Sequence, residues 1–266
     1  MAVQAVVFGY HDVGVRCLRV LLDAGVAVPL VVTHRDSPDE RIWFGSVAQL
    51  AQSRGIETLL SEDMDRLRER IRAISPEFMF SFYYRRMLPP EVLALARKGA
   101  FNMHGSLLPK YRGRAPVNWA ILKGESETGA TERVPIGPDE TAAEVLAKVS
   151  DAAETVLKRS LPHLLAGTAS LKKQDLSKGS YFGARRPEDG RIDWSKSALE
   201  IHNLVRAVAP PYPGAFTDKM KILRTALSAE RRAPAGERGP YREGDEWFAV
   251  CGDGKVLRLL ELEPRE

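Results

Sequence analysis

Cysteine is almost missing from this chain: Cys17 and Cys251 are the two among 266 residues. They stand far apart, in no Cys-x-x-Cys spacing. That excludes a disulfide framework and a thiolate-held structural zinc, and it suits a reducing, cytoplasmic location. Long apolar runs are missing too, since the stretch from Val26 to Val32 is short and broken by Pro29, so no insertion into a membrane is expected. The first residues, Met1-Ala-Val-Gln-Ala-Val-Val-Phe-Gly, lack the basic region and small-residue cleavage site of a secretory signal and read as a buried strand. Neither an internal repeat nor a low-complexity segment interrupts the chain. An excess of one charge is present but mild, at +4 with a pI near 9.1. The basic residues alternate with acidic ones, as in Arg66-Leu-Arg-Glu-Arg-Ile-Arg. This is the pattern of a solvated helix face with a slight preference for anionic ligands such as phosphates, and it argues against a nucleic-acid partner.

What is present is an ordinary globular balance, 44% hydrophobic and 28% charged, with enough chain for a large core. The first half alternates strand and helix signals. Ala5–Phe8, Val28–Thr33, Phe78–Tyr84 and Ala100–His104 read as strands. Val13–Ala24, Ser46–Arg54, Asp63–Ile74 and Pro90–Arg97 read as helices. That rhythm predicts an α/β fold: a Rossmann-like, mostly parallel sheet with helices on both faces. Ala142–Leu165 and Ala198–Val208 are two further helices. The tail carries short strands at Met220–Arg224, Trp247–Cys251 and Val256–Glu261, the last two joined by a turn at Gly252-Asp-Gly. We expect a catalytic domain over residues 1–190 and a small, open β-barrel domain over residues 191–266.

Ligands of such sheets gather at the carboxyl ends of the strands. His11, His34 and His104 fall at those ends, whereas His163 and His202 lie in helical stretches and read as structural. The first turn, Gly9-Tyr-His-Asp-Val-Gly14, has histidine where the dinucleotide fingerprint needs its second glycine, which weakens a nicotinamide-dependent reading. The richest segment runs from Phe101 through Asn102, His104, Gly105, Arg112 and Arg114 to Trp119. Asn102 and His104 are one residue apart, so on a strand both face one side. An amide and an imidazole on one face can hold a carbonyl oxygen and deliver a proton, the demands of acyl transfer to an amine. The plain alternative is that both satisfy loop backbone groups.

The run Asn102-Met-His-Gly-Ser-Leu-Leu-Pro-Lys-Tyr-Arg-Gly-Arg-Ala-Pro, followed by Gly124-Glu-Ser-Glu-Thr-Gly-Ala-Thr, resembles the folate-dependent formyltransferase family. That family includes methionyl-tRNA formyltransferase, the glycinamide ribonucleotide enzyme and the sugar N-formyltransferases. The chain is most similar to the branch that formylates UDP-4-amino-4-deoxy-L-arabinose in polymyxin resistance. His34–Ala48, Phe80–Leu88, Gly179–Trp194 and His202–Val208 with its Pro-Tyr-Pro-Gly sequel carry the same likeness, which spans nearly the whole chain. The resemblance implies Asn102 and His104 as catalytic residues. It also implies 10-formyltetrahydrofolate as co-substrate, held by Arg86, Met87, Leu88 and Arg114, and a nucleotide sugar as acceptor, without a metal. A dehydrogenase domain, fused or separate, is a candidate partner. The mixed and acidic tail at Glu243–Asp253 and Glu261–Glu266 argues against the tRNA enzyme, since tRNA binding calls for a basic C-terminal domain.

One departure stands out. The family's third catalytic residue is an aspartate in a loop after Gly-Ala-Thr, yet here Thr131 is followed at once by Glu132-Arg-Val-Pro. Asp139 and Glu140 fall in a helix-starting pattern and are not assigned its role. Either the chain is a loop-deleted, impaired protein or a non-catalytic binding module, or a mobile loop is left out of the sequence. The last is the expectation, with a gap between Thr131 and Glu132 far wider than a peptide bond of about 1.33 Å.

Overall fold

In the computed structural model, residues 2–38, 40–60, 64–228 and 238–265 are described. Asp63, the expected start of a helix, and Glu266 lie outside them. The amino-terminal part alternates β1 (Gln4–Gly9), α1 (His11–Asp23), β2 (Ala27–Thr33), α2 (Val47–Ser53) and β3 (Glu57–Leu60). It continues with α3 (Met64–Ile74), β4 (Phe78–Phe82), α4 (Pro90–Leu93) and β5 (Gly99–Met103). The five strands form one sheet in the order β3-β2-β1-β4-β5, with every pairing parallel. This is the Rossmann-like α/β fold that the alternating pattern implies.

Burial explains the arrangement. Val6, Phe8, Leu30, Val32 and Met79 turn one face of the sheet toward Leu67 and Ile71 of α3 and Val92 of α4. Strand alternation sends Ala5, Val7 and Val31, all fully buried, to the opposite face. Gly14 is needed for close packing: a β-carbon there would lie 2.7 Å from Val47 Cγ2 and 3.2 Å from the Gly9 carbonyl carbon. The glycines of the first turn therefore serve packing of helix on strand, in agreement with the failed dinucleotide fingerprint.

The remaining elements are β6 (Arg112–Gly113), α5 (Pro116–Leu122), β7 (Glu127–Ala130), β8 (Glu132–Pro135), α6 (Ala142–Leu165) and β9 (Tyr181–Phe182). They end with α7 (Ala198–Val208), β10 (Ala215–Phe216), β11 (Met220–Ser228), β12 (Gly239–Glu243), β13 (Glu246–Val250) and β14 (Val256–Pro264). The last five strands form an antiparallel sheet ordered β10-β11-β14-β13-β12, with Arg191 bridged to Phe216 on the outer side of β10. Ile201, Val205 and Val208 of α7 pack on Ile222, Ala249, Leu257 and Leu259 of that sheet. The helix starts at a capping box in which the Ser197 hydroxyl accepts from the Glu200 N–H and the Glu200 carboxylate accepts from the Ser197 N–H.

In the structure Thr131 alone connects two short strands, directly before Glu132. β7 and β8 pair as a two-stranded sheet with Thr131 alone between them at φ +74°. A β-carbon on Gly129 would lie 1.8 Å from the Glu132 carbonyl oxygen, so the strands close tightly. The turn leaves no loop in this chain to carry the family's aspartate. Glu140 serves the turn before α6, accepting from the Gly137 N–H at 2.6 Å, Thr141 is capped by Glu144, and Asp139 lies 3.4 Å from His202 Nε2.

By packing, the chain forms two compact units. One comprises residues 1–108, 129–132 and 149–175, and the other residues 109–128, 133–148 and 176–266. Both cysteines are buried free thiols. Among the described residues no helix is long and apolar enough to cross a membrane, and no cluster of three potential metal ligands occurs.

Candidate active site

The carboxyl ends of β1, β4 and β5 lie side by side, and the strand order reverses between β1 and β4. Open α/β sheets bind ligands at such a switch point. The Tyr10 N–H donates to the Phe82 carbonyl at 3.0 Å, tying the first two exits together. Parallel pairing sets Asn102 opposite Ser81. Asn102 sits exposed on the edge strand, and its side chain makes no hydrogen bond among the described residues. His104, just past the strand end, is half-buried, and its Nδ1 lies 2.9 Å from the Ser106 hydroxyl. Ser106 itself is 1% exposed. An amide with no bonded partner among the described residues thus stands two residues from an imidazole whose Nδ1 lies beside a hydroxyl, groups of the kind that oxyanion stabilisation and proton delivery use.

The segment after β4 is firmly anchored. The Arg85 N–H donates to His34 Nε2 at 3.0 Å, and its guanidinium grips both Glu40 carboxylate oxygens at 2.6 Å. His34 also stacks on Tyr84 at 4.3 Å. It therefore positions the loop rather than offering a free nitrogen. Next to this anchor Arg86 is exposed, Met87 is 92% exposed, and Leu88 packs partly on the sheet core. A flexible thioether held out into solvent beside ordered backbone suits a flat ligand. Arg114 is exposed, without a side-chain partner among the described residues, and belongs to the second compact unit.

His11 opens α1 in the left-handed region, φ +65°, walled by Trp43 at 4.9 Å and Phe44 at 3.9 Å between ring centres. Burial drives its pKa down to about 4, so it is neutral. Beside it a cavity of about 200 Å³ opens at the ends of β1, β2 and β3, lined by Tyr10, His34, Phe44 and Ser46. The Tyr10 hydroxyl donates to Asp36 at 2.7 Å, and burial together with that bond raises its pKa. Sequence reasoning missed Tyr10, Glu40, Arg85 and Ser106. Ser106 alone left a local signal, its place two residues after His104.

Fold and site together define an α/β transferase-type protein with an amide–imidazole pair at the ligand edge of a parallel sheet. Two family models match the chain: formyl transferase over residues 21–134, and the formyl transferase C-terminal domain over residues 185–266. The chain belongs to the formyl transferase family. Solved structures share the fold. The N-formyltransferase of Helicobacter canadensis, in complex with folinic acid and dTDP-3-aminofucose, is 20% identical with a TM-score of 0.74, and the match covers 100% of both chains. The sugar 3N-formyl transferase WlaRD, with dTDP and 5-N-formyl-THF, is 18% identical with a TM-score of 0.73, over 97% of this chain and 98% of that one. A 4-N formyltransferase from Francisella tularensis is 19% identical with a TM-score of 0.62, over 79% and 89%.

Proposed function

We propose that the protein transfers a formyl group from 10-formyltetrahydrofolate to the amine of a UDP-amino sugar. UDP-4-amino-4-deoxy-L-arabinose is the first candidate, and the reaction would serve lipid A modification and polymyxin resistance in the cytoplasm. The observation that carries this reading is the Asn102–His104 pair, presented on the sheet edge with the amide uncommitted. Asn102 orients the formyl oxygen and steadies the oxyanion, and His104 manages the proton. Arg86, Met87, Leu88 and Arg114 hold the folate. The folate and amino-sugar ligands named for the structural neighbours support both substrate classes. We place the domain boundary near residue 190, and the C-terminal family match, beginning at 185, supports it.

A second reading has its own observation. The single-residue turn at Thr131 carries no carboxylate, which favours a folate or nucleotide-sugar binding module without turnover. A panel of UDP- and dTDP-amino sugars incubated with 10-formyltetrahydrofolate, with products read by mass spectrometry, separates the two. Formylated UDP-4-amino-4-deoxy-L-arabinose as the best product supports the proposal. A preferred dTDP sugar moves the substrate, and binding of both ligands without any formylated product supports the module.

A further inference from the structure

We propose that Ser106 fixes His104 as the Nδ1–H tautomer, so that this one imidazole takes the attacking amine's proton on Nε2 and returns it to the departing folate nitrogen. This rests on the formyl-transfer reading above. His104 Nδ1 lies 2.9 Å from Ser106 Oγ, and the serine is 1% exposed. Its carbonyl accepts from the Leu108 N–H at 3.0 Å, so the residue is anchored by its backbone as well. A buried hydroxyl at that distance can accept from Nδ1–H and turn the ring as a carboxylate would. With Nδ1–H so committed, the lone pair of the neutral ring is on Nε2.

The step balances without any further reactant. The amine lone pair forms the new C–N bond at the formyl carbon, and the carbonyl π pair moves to the oxygen beside Asn102. The amine proton passes to Nε2. The bond from the formyl carbon to folate N10 then breaks, its electron pair stays on N10, and N10 takes the proton from Nε2. Nothing is oxidised or reduced, and the imidazole ends as it began. Ser106 touches neither substrate and is a positioning residue.

The test combines kinetics with nitrogen NMR on the full chain labelled at its five histidines, the His104 signals being assigned by their loss in His104→Gln. The wild-type spectrum should show Nδ1 protonated and Nε2 bare. Ser106→Ala should lower kcat about 10- to 100-fold, leave both KM values near wild type and move the pH profile of kcat. Ser106→Thr, which keeps the hydroxyl, should restore most of the rate and the profile. An Nε2–H tautomer in the wild type, or a wild-type kcat in Ser106→Ala, overturns the proposal. Should Ser106→Ala fail to fold, the wild-type tautomer decides. Should the wild-type chain transfer no formyl group, the functional reading falls, and the tautomer still decides whether Ser106 orients the ring.

Discussion

His104 and His202 are both imidazoles beside a hydroxyl, but they sit in different surroundings. His202, 2% exposed on α7, has both nitrogens occupied: Nδ1 lies 2.9 Å from Thr225 Oγ1, and Nε2 donates to the Pro138 carbonyl at 3.0 Å. Its neighbour Arg206 is equally engaged, donating to Asn203 Oδ1 and to the carbonyls of Gly137 and Glu140. This network fastens the 137–140 loop to α7. At the end of β5 the surroundings are more open. Asn102 has no bonded partner among the described residues, and the His104 ring is half-buried. Chemistry is to be sought where hydrogen-bonding capacity is left over, and stability where it is used up.

Removing the two groups at the end of β5 should have the largest effect. Asn102→Ala and His104→Ala should each lose about 100- to 1000-fold in kcat, and Asn102→Ala should unfold at the wild-type urea midpoint. Near-normal turnover in both would break the comparison, because the chemistry would then reside elsewhere.

His202→Ala should show the opposite profile. It strips a partner from the buried Thr225 hydroxyl and from the Pro138 carbonyl and opens a void, costing about 2–4 kcal/mol of stability. Urea titration measures this, and an unchanged midpoint would mean that the α7 network stabilises nothing.

Acid should reveal the buried histidines. Burial lowers the pKa of His202, and of His11 to about 4, below their unfolded value near 6.5. The unfolded chain therefore binds more protons below that value, and stability falls as pH drops from about 6.5 toward 4. For His11 the loss from pH 7 to pH 5 should be about 1–2 kcal/mol, read as the difference between wild-type and His11→Gln urea curves. Equal slopes in the two proteins would refute a neutral, buried His11.

The smallest effect concerns the loop anchor. Glu40→Gln weakens a partly exposed ion pair with Arg85 worth under about 1 kcal/mol. The KM for 10-formyltetrahydrofolate should rise a few-fold with kcat unchanged, and a fall in kcat alone would point away from loop positioning.

Strongly patterned features were legible in the sequence. The parallel sheet followed from apolar runs alternating with amphipathic helices, and the place of Asn102 on its edge strand, with His104 just past the end, from the apolar run at Ala100. The likeness to the formyltransferase family followed from the motif around them. Glu57–Leu60 was not read as a strand, because this short edge element opens on a polar residue and its side chains are only half-buried. The expected helix over Pro90–Arg97 closes after Leu93. The β7–β8 hairpin escaped because its turn rests on one left-handed threonine, a conformation sequence seldom announces. His34 was placed at the ligand edge, but its use as an acceptor for Arg85 depends on a contact across 51 positions, for which sequence spacing carries no signal.

The central claim is that this chain, with a direct Thr131–Glu132 turn, still catalyses formyl transfer through the end of β5. A single-turnover experiment tests it most directly, with enzyme in excess over 10-formyltetrahydrofolate and saturating UDP-4-amino-4-deoxy-L-arabinose. The account predicts formylated sugar forming at a rate that collapses in His104→Ala, while both proteins bind folate equally well. Folate binding without any formylated sugar, or the same rate in both proteins, would contradict it.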